Sequence, residues 1–505
     1  MRIWRYILGG LVGSAAYNRI GPSSYLTRIT VHGTTSWHVI DCGLEPVPYT
    51  FDAREWYAVN LEELAAILHG ERISTVLVTH AHLDHCGYLP ALEPFLRDDA
   101  KIICTSVTKE LIEYILHDVL MQSLARGGIL GELPFQTLPL VRILQRLVAV
   151  DTPGVISLEK GIRVLLWPAG HINGACSFFF EISEGSVRRI VAYLGDSSVH
   201  RQTSVEGASL PPDQWLLKGR HDVIASLDCT NGGEEIALWE DERQRLLHDA
   251  MRVVKEGRRW IGITFSIVRA QSLAHELSLR KRQDSTLRNI PVYADGVSVR
   301  RISEVLKNFS WAGGRTLDLS DVEWIIGYRG RRSFMRNFES GWVLTPSGMG
   351  HGPAVDYFTR YLEDPATFIA FTGFVAQGTN GHRILNAQNG EIVRLGGNRG
   401  DEGGLALSVR AERAMYRFGA HQSRSEAIIR TLELFGIDSR SLVPGLRSDF
   451  SGNFQDLLPP GTDLSERQVG LTHGSTRALQ WFEKSLAGIV KTARADQEDD
   501  RYREL

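Results

Sequence analysis

Apolar residues in the first two hundred positions fall in short runs, and most runs stop at glycine, aspartate or histidine. Runs of this length, rich in Val, Ile and aromatic residues, predict strands over 25–31, 37–41, 73–79, 101–104, 162–167, 177–182 and 189–194. An earlier strand is predicted over Ile3 to Leu8, ended by Gly9-Gly10; Met1 to Tyr17 only weakly imitates a signal peptide. Helical spacing predicts helices over 60–69, 88–97, 107–122 and about 138–147, with an irregular excursion over 123–136. Strands in adjacent hairpins, interleaved with helices, imply sheet layers covered by helices.

The rhythm changes after about residue 230. Helices over 236–256, 267–282, 297–308 and 354–363 alternate with strands over 259–264, 291–294, 342–345 and 367–372. Regular alternation of this kind marks a parallel, helix-flanked unit. Strand-like pieces follow over 382–418, interrupted by the Gly-rich loop 396–404; then come a helix over 423–435, a strand over 468–472 and a helix over 475–487. The charged stretch from about 494 to 505 is expected to fray.

Composition narrows the class of protein. A chain of 505 residues holds two or three domains, and 43% hydrophobic with 23% charged residues is the balance of a globular protein. The net charge of −3 leaves no global basic field, so a nucleic-acid partner has to be met by a local patch. No apolar run is long enough to span a bilayer, and no membrane partner is expected. Five cysteines, none in a Cys-x-x-Cys pair, argue against a disulfide framework and for a reducing cytoplasm. Cys42, Cys86 and Cys229, each behind a candidate site residue, read as small apolar neighbours.

The chemistry concentrates in His80-Ala81-His82-Leu83-Asp84-His85, directly behind the predicted strand 73–79. Imidazoles and carboxylates are natural donors to Zn²⁺, and a strand-to-loop turn can converge them where a helix would scatter them. One loop cannot complete two metal sites, so further ligands should lie at other strand ends. His171 in Gly170-His171-Ile172-Asn173-Gly174-Ala175, Asp196 behind Leu194-Gly195, and Asp41 behind Val39-Ile40 are the candidates. Each has an ordinary reading as a turn or cap residue. Together they supply what a binuclear centre lacks.

These motifs, His80-x-His82-x-Asp84-His85, Gly170-His171-Ile172-x-Gly174-Ala175 and Gly195-Asp196, resemble the metallo-β-lactamase superfamily. The resemblance implies an αββα sandwich with two Zn²⁺ at one edge, Mn²⁺ being the fallback. His80, His82 and His171 would bind one metal, Asp84 and His85 the other, with Asp196 bridging and Asp41 orienting the ligand loop. Leu344-Thr345-Pro346-Ser347-Gly348-Met349 and Phe371-Thr372-Gly373-Phe374-Val375-Ala376-Gln377-Gly378-Thr379 further resemble the β-CASP nucleases, which insert a parallel α/β domain. Three family motifs match at Asp228, His421 and His473. By that resemblance His473 completes the second metal site, while Asp228 and His421 bind the scissile phosphate and help protonate the leaving oxygen, so that Asp84, Asp228 and His421 count as catalytic. Histidine at the third motif resembles the RNA-directed members. The pattern departs from the family at Ser423 and Ser475, where acidic residues are usual, and at Asn231, where an aromatic is usual.

The implied division is 1–232 and 420–505 for the metal-binding sandwich and 233–419 for the inserted domain. Cations for single-stranded RNA are expected from Arg329, Arg331, Arg332 and Arg336, interleaved with Tyr328 and Phe334, and less strongly from Arg280-Lys281-Arg282 with Arg288; Ser347 is expected to offer backbone N–H groups to a phosphate. A homodimer is left open. The resulting expectation is a cytoplasmic, zinc-dependent ribonuclease using a metal-activated hydroxide. The rivals are an ester or thioester hydrolase on the same scaffold and a non-catalytic RNA-binding relative.

Overall fold

The computed structural model describes residues 1–8, 22–46, 56–125, 135–232, 239–308, 313–396, 404–417, 419–438, 458–459, 462–494, 497 and 502–505. The small-residue stretch behind Leu8, most of the excursion over 123–136 and most of the loop 396–404 lie outside them.

Two seven-stranded sheets bury their facing sides against each other. The first has the order Tyr502–Glu504, Arg2–Ile7, Tyr25–Val31, Thr34–Ile40, Ile73–Leu77, Leu96–Cys104, Leu147–Ala149. The second runs Lys491–Arg494, Gln468–Thr472, Val223–Asp228, Val187–Tyr193, Cys176–Glu184, Ile162–Pro168, Gly154–Glu159. Ile3, Ile7 and Ile29 of the first meet Val164, Phe178, Phe180 and Val191 of the second in one apolar layer. Each such side chain, fully buried, contributes roughly 1.5–3 kcal/mol relative to exposure. On the outer face of the first sheet, Leu64, Leu111, Leu116 and Ile143 from three helices cover Val39, Val76 and Ile102. On that of the second, Ile428 and Leu432 from Arg424–Leu434, with Leu479 and Phe482 from Thr476–Leu486, cover Phe179, Ala192, Ile224 and Leu471. The layers are therefore α, β, β, α.

Parallel pairing aligns the strand ends that matter. Thr34–Ile40, Ile73–Leu77 and Leu96–Cys104 run parallel in the first sheet. Val187–Tyr193, Val223–Asp228 and Gln468–Thr472 do so in the second, with Asp228 opposite Thr472. The Cys176 N–H donates to Thr79 O at 2.9 Å and ties the two sheets together at that edge.

A third sheet, of six strands, is parallel throughout: Val322–Ile325, Val292–Asp295, Gly341–Thr345, Arg259–Ile263, Thr367–Phe371, Glu412–Met415. It is covered on one face by Leu246, Leu273 and Leu277 and on the other by Tyr357, Phe358 and Ile384. Its central strands Gly341–Thr345, Arg259–Ile263 and Thr367–Phe371 consequently read as nearly unbroken apolar runs. Among the described residues no helix is long and apolar enough to cross a membrane.

Two expectations are corrected. Residues 88–97 form no α-helix: Leu89–Phe95 is a 3₁₀ segment containing Pro90 and Pro94, and Leu96 already begins a strand. Proline lacks the N–H that a helix interior needs. The charged C-terminal stretch does not simply fray. Tyr502–Glu504 pairs antiparallel with Arg2–Ile7, and Leu505 is buried with its N–H on Ile3 O at 2.9 Å. An edge strand tolerates charged residues, which composition alone reads as a tail.

The strand leading to His473 has one steric requirement. A Cβ on Gly470 would lie 1.9 Å from Arg5 Nη1 and 2.2 Å from Ala225 O, neither of which can retreat from the buried interior. Gly470→Ala is expected to destabilise the fold by about 2–3 kcal/mol, read as a lowered midpoint in thermal unfolding.

Candidate metal centre

Each candidate ligand stands just beyond a strand end on the same edge. The strand Ile73–Leu77 runs into Val78, Thr79 and His80, and His82 then caps the short helix Leu83–Cys86. Asp41 follows Thr34–Ile40 in a left-handed conformation, φ 58°. His171 sits in the connection between Ile162–Pro168 and Cys176–Glu184, Asp196 follows Val187–Tyr193, and His473 follows Gln468–Thr472. His421 lies just ahead of Arg424–Leu434.

These residues converge. Donor atoms of His80, His82, His171 and Asp196 all lie within 4.8 Å of one another; so do those of Asp84, His85 and His473, and those of Asp196, His421 and His473. His80 Nε2 and His171 Nε2 are each 3.0 Å from His82 Nδ1. Asp196 faces both groups. Its Oδ2 is 3.7 Å from His80 Nε2 and 3.5 Å from His171 Nε2, while its Oδ1 is 3.3 Å from His85 Nε2 and 3.2 Å from His473 Nε2.

The surrounding hydrogen bonds fix which ring nitrogens carry lone pairs. Thr79 Oγ1 donates to Asp41 Oδ2 at 2.7 Å, so at 3.1 Å it can only accept from His80 Nδ1–H. His171 Nδ1 donates to Ala420 O at 2.7 Å, and His85 Nδ1 donates to Asp41 Oδ2 at 2.8 Å. Nε2 of His80, His85 and His171 is therefore unprotonated in the neutral ring. His82 Nδ1 can donate to one neighbour at most, so at least one of its 3.0 Å contacts sets lone pair against lone pair. A shared cation removes that repulsion. Nε2 of His85 and Oδ1 of Asp196 are buried without a hydrogen-bond partner, a costly state for atoms that bind nothing. The donor set thus fits a pair of divalent ions, each ring oriented by an outer hydrogen bond.

Electrostatics agree. Burial, reinforced by neighbouring histidines, holds His80 and His171 well below the usual imidazole range; burial brings His82 down to about 3. These rings are neutral, the ligating form. Burial also opposes charge on His85 and His473, but Asp196 foremost outweighs it and raises both. Burial raises Asp196, yet His473, His85 and His421 hold it well below the carboxylate range.

Beside the cluster, Asp228 Oδ2 accepts from His421 Nδ1 at 2.8 Å, and His421 Nδ1 is 3.9 Å from Asp196 Oδ2. Asp228 is anchored by N–H of Ser197 and by N–H and Oγ1 of Thr230. Burial lowers the proton affinity of His421, but Asp228 and then Asp196 outweigh it and bring its pKa to about 9.

All seven expected ligands, with Asp41, Asp228 and His421, are thus brought together. Expected RNA contacts fare differently. Arg331 is buried, 7% exposed, and its guanidinium is paired with Asp295 and with Asp356 at 2.8 Å, so it supports the inserted domain rather than facing a ligand. Phe334 packs on Tyr293 and Phe338 instead of offering a free face. Ser347 N–H is engaged by His351 O at 3.3 Å, and Ser347 O accepts from Gly350 N–H at 2.9 Å. Arg329 and Arg332 are exposed, Arg332 over the Tyr328 ring.

The three departures from the family pattern have structural duties. Ser423 and Ser475 are helix N-caps, Ser423 in a reciprocal capping box with Glu426. Asn231 Nδ2 donates to Gln422 O at 3.1 Å and holds the His421 segment. Sequence reasoning missed Thr79, Ser23, whose Oγ is 3.1 Å from His473 Nδ1, and Thr230. Thr79, adjoining His80, and Thr230, two residues behind Asp228, stood near a signal; Ser23 did not. All five cysteines are buried and free, and among the described residues none joins a donor cluster.

Sheet order and donor geometry define the class. Residues 19–187 match the family model described as Metallo-beta-lactamase superfamily, and residues 270–384 match the Beta-Casp domain. The chain thus carries a metallo-β-lactamase domain with a β-CASP insertion. It is similar to "Transcription termination factor FttA" of Methanococcus maripaludis, at 28% identity over 84% of this chain and 66% of that protein. The factor of the same name from Methanocaldococcus jannaschii is 27% identical over 68% of this chain and 53% of its own length. "Endoribonuclease ysh1" of Schizosaccharomyces pombe is 24% identical over 76% of this chain and 48% of its own length. The chain thus spans about half to two thirds of these relatives.

Proposed function

We propose that this chain is a zinc-dependent ribonuclease that hydrolyses phosphodiester bonds of single-stranded RNA in RNA processing, decay or transcription termination. The carrying observation is the convergence of seven histidines and aspartates, Asp196 at their centre, with the Asp228–His421 pair at its side. The printed functions of the relatives, termination factor and endoribonuclease, support the substrate class.

In this reading His80, His82, His171 and Asp196 hold one ion, and Asp84, His85, His473 and Asp196 the other. Their imidazole and carboxylate donors suit Zn²⁺ first and Mn²⁺ second. Two such ions, when bound, acidify an attacking water and neutralise charge developing on the phosphate. Asp41 holds the His85 ring in its ligating orientation. Asp228 accepts the Nδ1 proton of His421, which leaves Nε2 of that ring for substrate; there it binds a phosphate oxygen and delivers a proton to the departing oxygen. RNA enters between the sandwich, built from 1–232 and 420–505, and the inserted domain 233–419. Exposed Arg329 and Arg332 neutralise its backbone. Buried thiols throughout favour a reducing compartment, the cytoplasm.

The test combines metal analysis of the purified chain with digestion of 5′-labelled RNA bearing a triphosphate or a monophosphate. Two ions per chain and chelator-sensitive cleavage are expected. Intact RNA after incubation with both Zn²⁺ and Mn²⁺ would refute the proposal.

A further inference from the structure

The segment 200–206, which follows Asp196, touches both halves of the molecule. Its Gln202 is buried, and Nε2 donates to Gly170 O at 2.8 Å and to His171 O at 2.9 Å. Two carbonyls can be satisfied only by the amide NH₂, so the orientation of this side chain is determined by chemistry. Asn173 Nδ2 adds a second tie, to Ser204 O at 3.3 Å. Backbones are in contact as well: Gly170 has φ +73°, and a Cβ there would lie 2.2 Å from Ser198 O and 2.4 Å from Ala208 N.

The other side of the segment is fastened to the inserted domain. Val205 bridges Gly314, and Glu206 N–H donates to Gly313 O at 2.7 Å. Arg315 donates from Nη1 to Gln202 O at 3.1 Å and from its N–H to Ser204 O at 2.8 Å. Thr203 Oγ1 donates to Glu276 Oε1 at 2.8 Å, and Glu276 is paired in turn with Arg243 at 2.7 Å. Next to this strap, Ile267 and Val268 of the inserted domain pack on Ala169, Ile172 and Ala175 of the His171 loop.

We propose that Gln202 is a positioning residue through which the placement of the inserted domain sets the geometry of the His171 ligand loop, and hence the affinity of the centre for its metal. The proposal rests on reading His171 as a metal ligand. Ala420 O orients the His171 ring at Nδ1, while the backbone of the loop 170–174, which turns on two glycines with positive φ, is placed by what grips it. Outer partners of ligands typically govern affinity by 10–100-fold. Here the outer partner is itself held by residues of the inserted domain, so coupling between the two halves runs through a contiguous set of named hydrogen bonds.

The test measures Zn²⁺ affinity of the full-length chain by competition with a chromogenic chelator, together with the visible absorption of the Co²⁺-loaded chain. Gln202→Met keeps the volume and removes both donors; affinity should fall roughly tenfold and the cobalt bands should shift. Thr203→Val and Arg315→Met, neither of which touches the His171 loop, should lower affinity several-fold. Lys255→Ala, which breaks an exposed pair with Asp284 inside the inserted domain, should leave it unchanged. If His171→Ala loses metal while Gln202→Met, Thr203→Val and Arg315→Met all bind as the unaltered chain does, the proposal is overturned and the centre stands. Unchanged binding by His171→Ala would remove the centre and the proposal with it. Should Gln202→Met fail to fold, the two remaining strap variants decide.

Discussion

An Asp196→Ala chain is expected to retain neither ion at stoichiometric level and to cleave RNA at least roughly a thousandfold more slowly, about 4 kcal/mol in barrier. The reason is its double engagement. Oδ2 stands with His80 and His171, and Oδ1 with His85 and His473. His82→Ala or Asp84→Ala removes a donor from one group only, and each should abolish cleavage while part of the metal remains. Asp196→Ala takes a donor from both groups and with it the buried negative charge that five neighbouring histidines surround. The fold should survive: with Asp196 gone, His85 and His473 lose the carboxylate that chiefly raises their proton affinity, and burial then favours their neutral forms more strongly. Elemental analysis beside far-UV circular dichroism checks this. Two ions per chain in a folded Asp196→Ala protein would show that Asp196 does not bridge.

What could be read from the sequence was governed by distance along the chain. The His80–His85 cluster is visible because its donors are adjacent and follow an apolar run. His171 and Asp196 stand out as candidates at the ends of apolar runs, though each alone reads as an ordinary turn or structural residue; His473 is picked out only by its resemblance to a family pattern. Partners set by tertiary contact were invisible. Arg331 looked like a surface cation because composition reports its charge and not Asp295, 36 residues away, which neutralises it inside the inserted domain. The strand Val322–Ile325 and the helix Gly327–Asn337 escaped notice for a related reason: the strand is four residues long, and the Arg-rich helix presents few apolar positions to betray its period. Ser23 and Thr79 orient ligand rings from positions whose sequence context is that of any loop or strand end.

The second large effect separates metal binding from proton transfer. His421→Ala is expected to lower cleavage by about 10²–10³-fold while both ions stay bound, because its Nδ1 is committed to Asp228 and it belongs to the ligand shell of neither principal group. Asp228→Asn should cost a similar factor. An amide in place of the carboxylate leaves Ser197 N–H and Thr230 without their charged acceptor, and His421 loses the neighbour that contributes most to holding its proton. If the two residues act as one unit, the double variant will be scarcely slower than either single one, since the second substitution removes nothing the first has left intact. Single-turnover cleavage of a labelled RNA by the four chains of this cycle, each loaded with Zn²⁺, gives the coupling directly. Losses that multiply would mean that Asp228 and His421 serve separate steps, and the hydrogen bond between them would then be structural.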